Sequence, residues 1–369
     1  MFSMKTRNQL ALALLIALVQ APALAQEKPA PVVVDAATQH AVVAELARQL
    51  QSNYVFPDVA MKLAKSLRAK DAAGGYAKAT DAETFAKALG DDLRKVGADL
   101  HFQVAYEPGF GQRPQDSHAQ PSHEDVERMR SDIASHGYGI DSVRRLTGNV
   151  GYMEVRAFPP AEYGSDAVTA AMKLLSGTDA LILDLRRNGG GEPDGVAYLL
   201  SHFFAEGDSR HLNDIYSRTD NTTRQYWTNP AVTVRYGKPI YVLTSKRTFS
   251  GGEEAAYDLQ TQKRATLVGE VTGGGANPGE GYSLTHGFAA FIPNGRSINP
   301  VTKTNWEHVG VKPDIAVPAA DAQKTAHAAI LKTLMAASTN ADEKAEMQEL
   351  IAMVESGVAE VPNYAPPRR

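Results

Sequence analysis

One stretch limits the fold more than any other. Ala180-Leu181-Ile182-Leu183-Asp184-Leu185 is an unbroken apolar run that stops at Arg186-Arg187-Asn188 and three glycines, Gly189, Gly190 and Gly191. A run of this length without alternation reads as a strand buried on both faces, the signature of a sheet covered by helices on each side. The flanking sequence repeats the pattern. Strand-like Val150–Val155 precedes it, with helical Val168–Leu175 between, and helical Val196–Phe204 follows. Strand Ile240–Thr244, helix Gly252–Gln260 and strand Ala265–Gly269 come next. Strands alternating with helices predict an α/β layer structure from about residue 149 onward.

The segment before it has a different character. Ala36 to Lys70 has helical spacing, with Val42, Val43, Leu46 and Leu50 on one face and a break at Phe56-Pro57. Asp81 to Val96 is amphipathic through Phe85, Leu89 and Leu93, with Asp81 as N-cap. His101 to Tyr106 alternates like a strand. Glu107 to Ser122, rich in Gly, Pro and Gln, reads as a loop, and Glu124 to Ile133 as a short polar helix. Further on, Tyr282 to Ile298 reads as paired short strands around a Pro293-Asn294-Gly295 turn. Ala322–Ala337 and Ala341–Val354 read as helices, and Pro362–Arg369 as a frayed tail. The expected organisation is a leader over residues 1–25, a helical domain over 26–106, a linker or lid over 107–148, a main α/β domain over 149–340, and a C-terminal helix and tail over 341–369.

The leader has Lys5 and Arg7, an apolar run from Leu10 to Val19, and Ala23 and Ala25 at small-x-small spacing, the order of an export signal. The expected location is therefore periplasmic or secreted, with no stable membrane span once the leader is removed. Losing Lys5 and Arg7 would take the formal charge from −4 to −6, which argues against nucleic acid as a partner. The absence of cysteine excludes a thiol nucleophile and thiolate metal ligands. With no His-Glu-x-x-His, no Asp-rich calcium loop and no phosphate-binding glycine fingerprint, neither a metal nor a cofactor is expected.

Two strand-to-helix junctions could carry chemistry. The glycines after Leu185 expose N–H groups at a helix start; the segment is either an anion or oxyanion cradle or an ordinary tight turn. Thr248-Phe249-Ser250-Gly251-Gly252-Glu253 places Ser250 where a strand gives way to a helix. Ser250 is either a nucleophile at a sharp elbow or an N-cap with Glu253 completing a capping box. A serine nucleophile needs a base, for which His101, His286 and His308 are candidates, and an orienting carboxylate, for which Glu307 is one.

The chain resembles the tail-specific (C-terminal processing) serine peptidases, in the branch that includes the tricorn core protease and interphotoreceptor retinoid-binding protein. The resemblance runs in order through Asn53-Tyr54-Val55-Phe56-Pro57, Asp99-Leu100-His101, Asn149-Val150-Gly151-Tyr152, Leu183 to Gly190 and Thr248 to Glu253. It continues through Leu267 to Gly274 and Gly310-Val311-Lys312-Pro313-Asp314. It implies a crotonase/Clp-protease-like ββα superhelix with a small N-terminal helical domain. It also implies Ser250 as nucleophile, Gly251 with Gly189 or Gly190 as oxyanion hole, and a peptide or protein substrate. There are two departures. The tail-specific branch carries its lysine base 25 positions after the serine, and here position 275 is Gly275. The histidine-based branch instead implies His101 as base and Glu307 as orienter. Glu107 to Gly148 is also too short for the PDZ domain that many members carry. The same scaffold serves relatives as a carrier of apolar ligands, so a non-catalytic binding protein is the alternative expectation.

Overall fold

The computed structural model describes residues 31–110 and 122–357. The expected leader and the tail at Pro362–Arg369 lie outside the described residues, as does most of the Gln-rich part of the predicted loop.

The apolar run becomes β4 (Ala180–Asp184), every residue of it buried. It lies inside a six-stranded sheet ordered β12-β8-β7-β4-β3-β2. Here β2 is Ile140–Leu146, β3 Val150–Val155, β7 Ile240–Thr244, β8 Thr266–Gly269 and β12 Ile315–Ala316. The β12, β8, β7, β4 and β3 pairings are parallel, and β2 closes one edge antiparallel to β3. Successive side chains of a strand point to opposite faces, so two cores form. Leu181, Leu183, Met153 and Val242 pack with Leu199 and Leu259 on one face. Ala180, Ile182, Tyr152 and Leu243 pack with Ala326, Ile330 and Leu331 on the other. The first core takes α5 (Ala161–Leu175), α6 (Pro193–Ser201) and α7 (Gly251–Thr261); the second takes α8 (Ala322–Ala337), with α9 (Ala341–Ser356) contributing Ile351.

The N-terminal unit is helical as expected: α1 (Ala36–Asn53), α2 (Pro57–Ala72) and α3 (Ala82–Gly97). Pro57 opens α2, where its missing N–H costs nothing, and Asp81 caps α3 by accepting from the Thr84 N–H at 2.9 Å. Its core is not self-contained. Phe85, Leu46 and Leu89 pack against Phe288, Ala290 and Ile292 of β10 (Phe288–Pro293), and β1 (Gln103–Tyr106) pairs with β10. A late hairpin, β9 (Gly279–Ser283) with β10, thus ties the first hundred residues to the second half of the chain.

Two expectations need correction, and one ribbon escaped the sequence. The segment 107–148 is not only a linker: beside the expected helix, α4 (His123–Ser135), it holds β2, which is part of the main sheet. Its alternating burial, with charged residues facing out, gives a weak apolar signal that composition alone misses. The strands flanking Asn294 do not pair with each other; β10 pairs with β9, while β11 (Gly295–Ile298) pairs with β5 (His211–Ser217). Finally, β5 and β6 (Thr222–Trp227) form a polar antiparallel ribbon that apolar patterning could not locate.

Candidate active site

Parallel strands of an open sheet leave their carboxyl ends to the loops, and both glycine-rich junctions lie there. After β4, Asp184 accepts from Arg186 Nη2 at 2.5 Å and from the Tyr152 hydroxyl at 2.6 Å, which fixes the start of the loop. The loop after β7 is stitched to it. Thr248 Oγ1 donates to Leu185 O (2.7 Å), Ser245 Oγ to Arg186 O (2.6 Å), and Phe249 N to Asn188 O (3.0 Å). These bonds hold Ser250, the N-cap of α7, at φ 53° and ψ −121°. A non-glycine residue at positive φ stores strain, which persists only where its surroundings over-determine it.

Glu253 supplies much of that determination. It is fully buried and accepts from Ser250 N (3.0 Å), Thr272 Oγ1 (2.5 Å), Gly274 N (2.6 Å) and Gly275 N (2.8 Å). Burial pushes its carboxyl above the ordinary range, against the pull of those donors. Glu253 therefore links the serine junction to the Thr272–Gly275 turn.

Ser250 opens into a cleft of about 270 Å³ that is also lined by His101, Gly191, Gly251, Phe291 and Trp306. His101 is buried, with its ring tilted 39° on Phe249 at 4.6 Å and stacked near Phe291 at 6.4 Å. Both ring nitrogens are without a hydrogen-bond partner, so no Ser–His hydrogen bond is closed in this state. Neither His286, in the turn between β9 and β10, nor His308, more than half exposed, lines the cleft.

Gly275 explains the missing lysine. A Cβ at this position would lie 2.3 Å from Phe249 Cζ and 2.7 Å from His101 Cε1. The Phe249 ring fills most of the space into which a side chain from position 275 would begin to grow, with the His101 imidazole stacked on it at the edge. A side chain at 275 would have to displace Phe249 first and His101 with it.

Two carboxylates approach the ring. Donor atoms of Asp99, His101 and Glu307 lie within 4.8 Å of one another. Asp99 Oδ1 accepts from the His101 N–H (3.0 Å) and lies 3.5 Å from Nδ1; Oδ2 accepts from Asn277 Nδ2 (2.9 Å) and the Tyr54 hydroxyl (3.3 Å). Glu307 Oε2 accepts from Ala276 N at 2.5 Å, while Oε1 is buried, accepts no hydrogen bond and lies 3.5 Å from Nδ1 of His308. Burial and the charge of Asp99 push Glu307 up to about 8. The set has the spacing of a loose cation site, assembled from positions about two hundred residues apart, which no sequence motif could announce. Asp99 is the residue that sequence reasoning quoted without assigning it any part.

The glycine loop differs from expectation. Gly189 N donates to Arg156 O (3.0 Å) and Gly190 N to Asn188 Oδ1 (2.8 Å), so neither N–H is available as an oxyanion donor. Gly191 is bridged in parallel to Phe158, whose bonds go to Gly190 O and Glu192 N. That pattern turns the N–H of Gly191 itself toward the cleft. Among the described residues no protein acceptor is assigned to the N–H of Gly191 or of Gly251. Gly190 has a packing reason: at φ 109° its Cβ would meet Ser250 Cβ at 2.7 Å.

The family model for peptidase family S41 matches residues 149–317, and the N-terminal domain of peptidase S41 in eukaryotic IRBP matches residues 27–139. The chain belongs to peptidase family S41. Among curated proteins it is 31% identical over 178 residues to the chloroplastic carboxyl-terminal-processing peptidase 2 of Arabidopsis thaliana, covering 46% of this chain and 32% of that one. It is 28% identical over 166 residues to the chloroplastic C-terminal processing peptidase of Tetradesmus obliquus, covering 42% and 33%. The chain thus spans about a third of the length of these relatives. Among solved structures, a Parabacteroides merdae protein described as a candidate peptidase superposes with a TM-score of 0.52 at 20% identity, over 76% of this chain and 90% of that one. The tricorn protease superposes with a TM-score of 0.50 at 13% identity, over 86% and 37%. These two likenesses concern the fold, which is the α/β architecture with a small N-terminal unit that the sequence implied.

The steric argument at position 275 has a direct test. Gly275→Ala is expected to leave the fold in place and displace the Phe249 and His101 rings, and, if His101 acts in the reaction, to lower kcat/KM about 100-fold, the usual effect of a displacement of roughly 1 Å. Circular dichroism beside peptidase kinetics checks it; unchanged kinetics in a folded variant would mean that Phe249 yields without moving His101, or that His101 takes no part.

Proposed function

We propose that this chain is an exported serine peptidase that cleaves peptide bonds through an acyl-enzyme, with Ser250 as nucleophile, His101 as base and Glu307 as the orienting carboxylate. The observation that carries this reading is the shared cleft: the imidazole of His101 is stacked on Phe249 and lines the same cleft as Ser250, with both rings within 2.7 Å of a Cβ built at Gly275. Membership of the S41 family and the single cleft shared by Ser250 and His101 support it.

In the first half-reaction a ring nitrogen of His101 takes the Ser250 hydroxyl proton as Oγ attacks the scissile carbonyl. The developing oxyanion is held by the N–H groups of Gly251 and Gly191, preorganised because the protein gives them no other acceptor. His101 then hands its proton to the leaving amine. In the second half, water is deprotonated by His101 and hydrolyses the ester. Asp99 fixes the backbone of His101, and Glu307, once ionised, stabilises the imidazolium.

That last requirement sets a pH dependence. Glu307 titrates near 8, so the ionised form gains as pH rises, and kcat/KM should climb along a limb with a midpoint in that region. Asp99→Asn removes a charge that raises Glu307 and should move the limb to lower pH; a limb that stays in place would exclude Glu307 as its source. For stability the sign is opposite. A carboxyl raised in the folded state favours folding below its unfolded value, and that contribution is lost as pH climbs toward 8.

The cleft weighs against the carrier of apolar ligands, since Glu192 and Glu254 line it alongside the apolar side chains. A fluorophosphonate probe tests the proposal. Ser250 should be the labelled residue, and labelling should require His101. Wild-type protein that stays unlabelled would overturn the hydrolase reading. Export is tested separately by the N-terminal sequence of protein recovered outside the cytoplasm, with cleavage expected after Ala25.

A further inference from the structure

The helix that starts at Ser250 carries an unusual face. Glu254 and Asp258 follow Ser250 at intervals of four residues, so all three lie on one side of α7. Both acids are buried, at 4% and 1% exposure, and Glu254 lines the cleft. They meet Asn213 of β5, Ser297 of β11 and Asn299, all buried too. Asn213 Nδ2 reaches Ser297 Oγ (3.4 Å), and Asn299 Nδ2 reaches Asp258 Oδ1 (3.0 Å). Asn213 Oδ1 and Asp258 Oδ2 make no hydrogen bond, while the Asn213 side chain lies against Glu254 and Glu254 faces Asp258. Among the described residues no lysine, arginine or histidine pairs with either acid, and no lysine or arginine lines the cleft. The only charge opposing the cleft-mouth acid Glu192 is that of Arg224, which is exposed and outside the cleft.

Buried polar atoms are almost always satisfied, and buried acids without a cation are costly. A cluster with two acids, two orphaned acceptors and no cation, reaching the cleft through Glu254 and Ser297 with Asp258 and Asn213 behind them, has the composition of a recognition floor. Resting on the peptidase reading above, we propose that this floor is the pocket for the side chain on the acyl side of the scissile bond, and that it selects lysine or arginine. Its length fits. One helical turn is about 5.4 Å, comparable to the reach of a lysine side chain, so an acyl group on Ser250 would bring its terminal ammonium to the level of Glu254. There it would meet the Glu254 carboxylate and Ser297 Oγ, the acceptors of this set that line the cleft. Burial pushes Glu254 to about 8 and Asp258 well above its usual range, so the empty pocket stays near neutral and ionises when a cation enters.

The test uses two peptidyl diphenyl phosphonates that differ only in side chain, lysine against isosteric norleucine. Each phosphonylates a reactive serine as Oγ bonds to phosphorus and phenoxide leaves. The ratio of their inactivation rates at Ser250 is read for the full mature chain and for Glu254→Gln. The wild-type ratio should favour lysine tenfold or more, and the ratio should fall toward one in the variant. Labelling by both probes with norleucine equal or faster would overturn the pocket assignment and leave the peptidase reading standing. Failure of both probes to label the wild-type serine would overturn the peptidase reading and this inference with it. The wild-type ratio decides the question even if Glu254→Gln does not fold.

Discussion

Alanine at Ser250, at His101, or at both is expected to lower kcat/KM on a peptide substrate by about 10⁴- to 10⁶-fold, with the double variant no slower than the slower single. The non-additivity is the informative part. Ser250 and His101 come from the start of α7 and from the segment before β1, and the structure gives them no shared function except across their common cleft. If they act on one proton, removing either removes the same step. Residual activity would come from the Gly191 and Gly251 donors and from binding, which neither substitution touches. Kinetics on the three variants check this. Multiplicative losses would mean that the two residues act in separate steps, and His101 would then need another assignment.

Glu253→Ala is expected to cost about 3–5 kcal/mol of folding stability and to abolish labelling of Ser250 in whatever fraction still folds. The carboxylate gathers three backbone N–H groups and one hydroxyl in a region sealed from water. Each buried donor left without an acceptor costs about 1–3 kcal/mol, offset in part by water entering the cavity. The same loss frees Ser250 from its positive φ, because the bond to its N–H is one of the constraints that hold that conformation. Denaturant unfolding gives the first quantity and probe labelling at low temperature the second. A variant within 1 kcal/mol of wild type that still labels would reduce Glu253 to an ordinary helix cap, the plain reading its sequence position also allows.

The residues differ in how far sequence alone could take them. Ala180–Asp184, Ile240–Thr244 and the helices between them were legible because burial on both faces demands uninterrupted apolar side chains, a local signal. The helical N-terminal unit was legible through spacing and caps. Ser250 and Gly251 could be singled out because a strand running into small residues and then a helix is a local geometric device. Position 275 could be noted as glycine, but its meaning could not: it depends on a ring brought from residue 101.

Tertiary structure alone decided the rest. β5, β6 and β2 are polar ribbons: β5 with β6 and β2 with β3 are hairpins whose weak apolar pattern hides them, and β5 is joined to β11 from about eighty residues away. The choice of Gly191 over Gly189 and Gly190 turned on where each N–H points, and three consecutive glycines carry no side chain that could encode it. Asp99, His101 and Glu307 come within 4.8 Å of one another, and His101 reaches the cleft beside Ser250, because of long-range packing. Local sequence determined which strands and helices form and where the chain turns sharply, since those depend on neighbours one to four residues away. Only the folded chain decided which charged groups meet without water between them, since their protonation and pairing are set by desolvation and by residues one to two hundred positions distant.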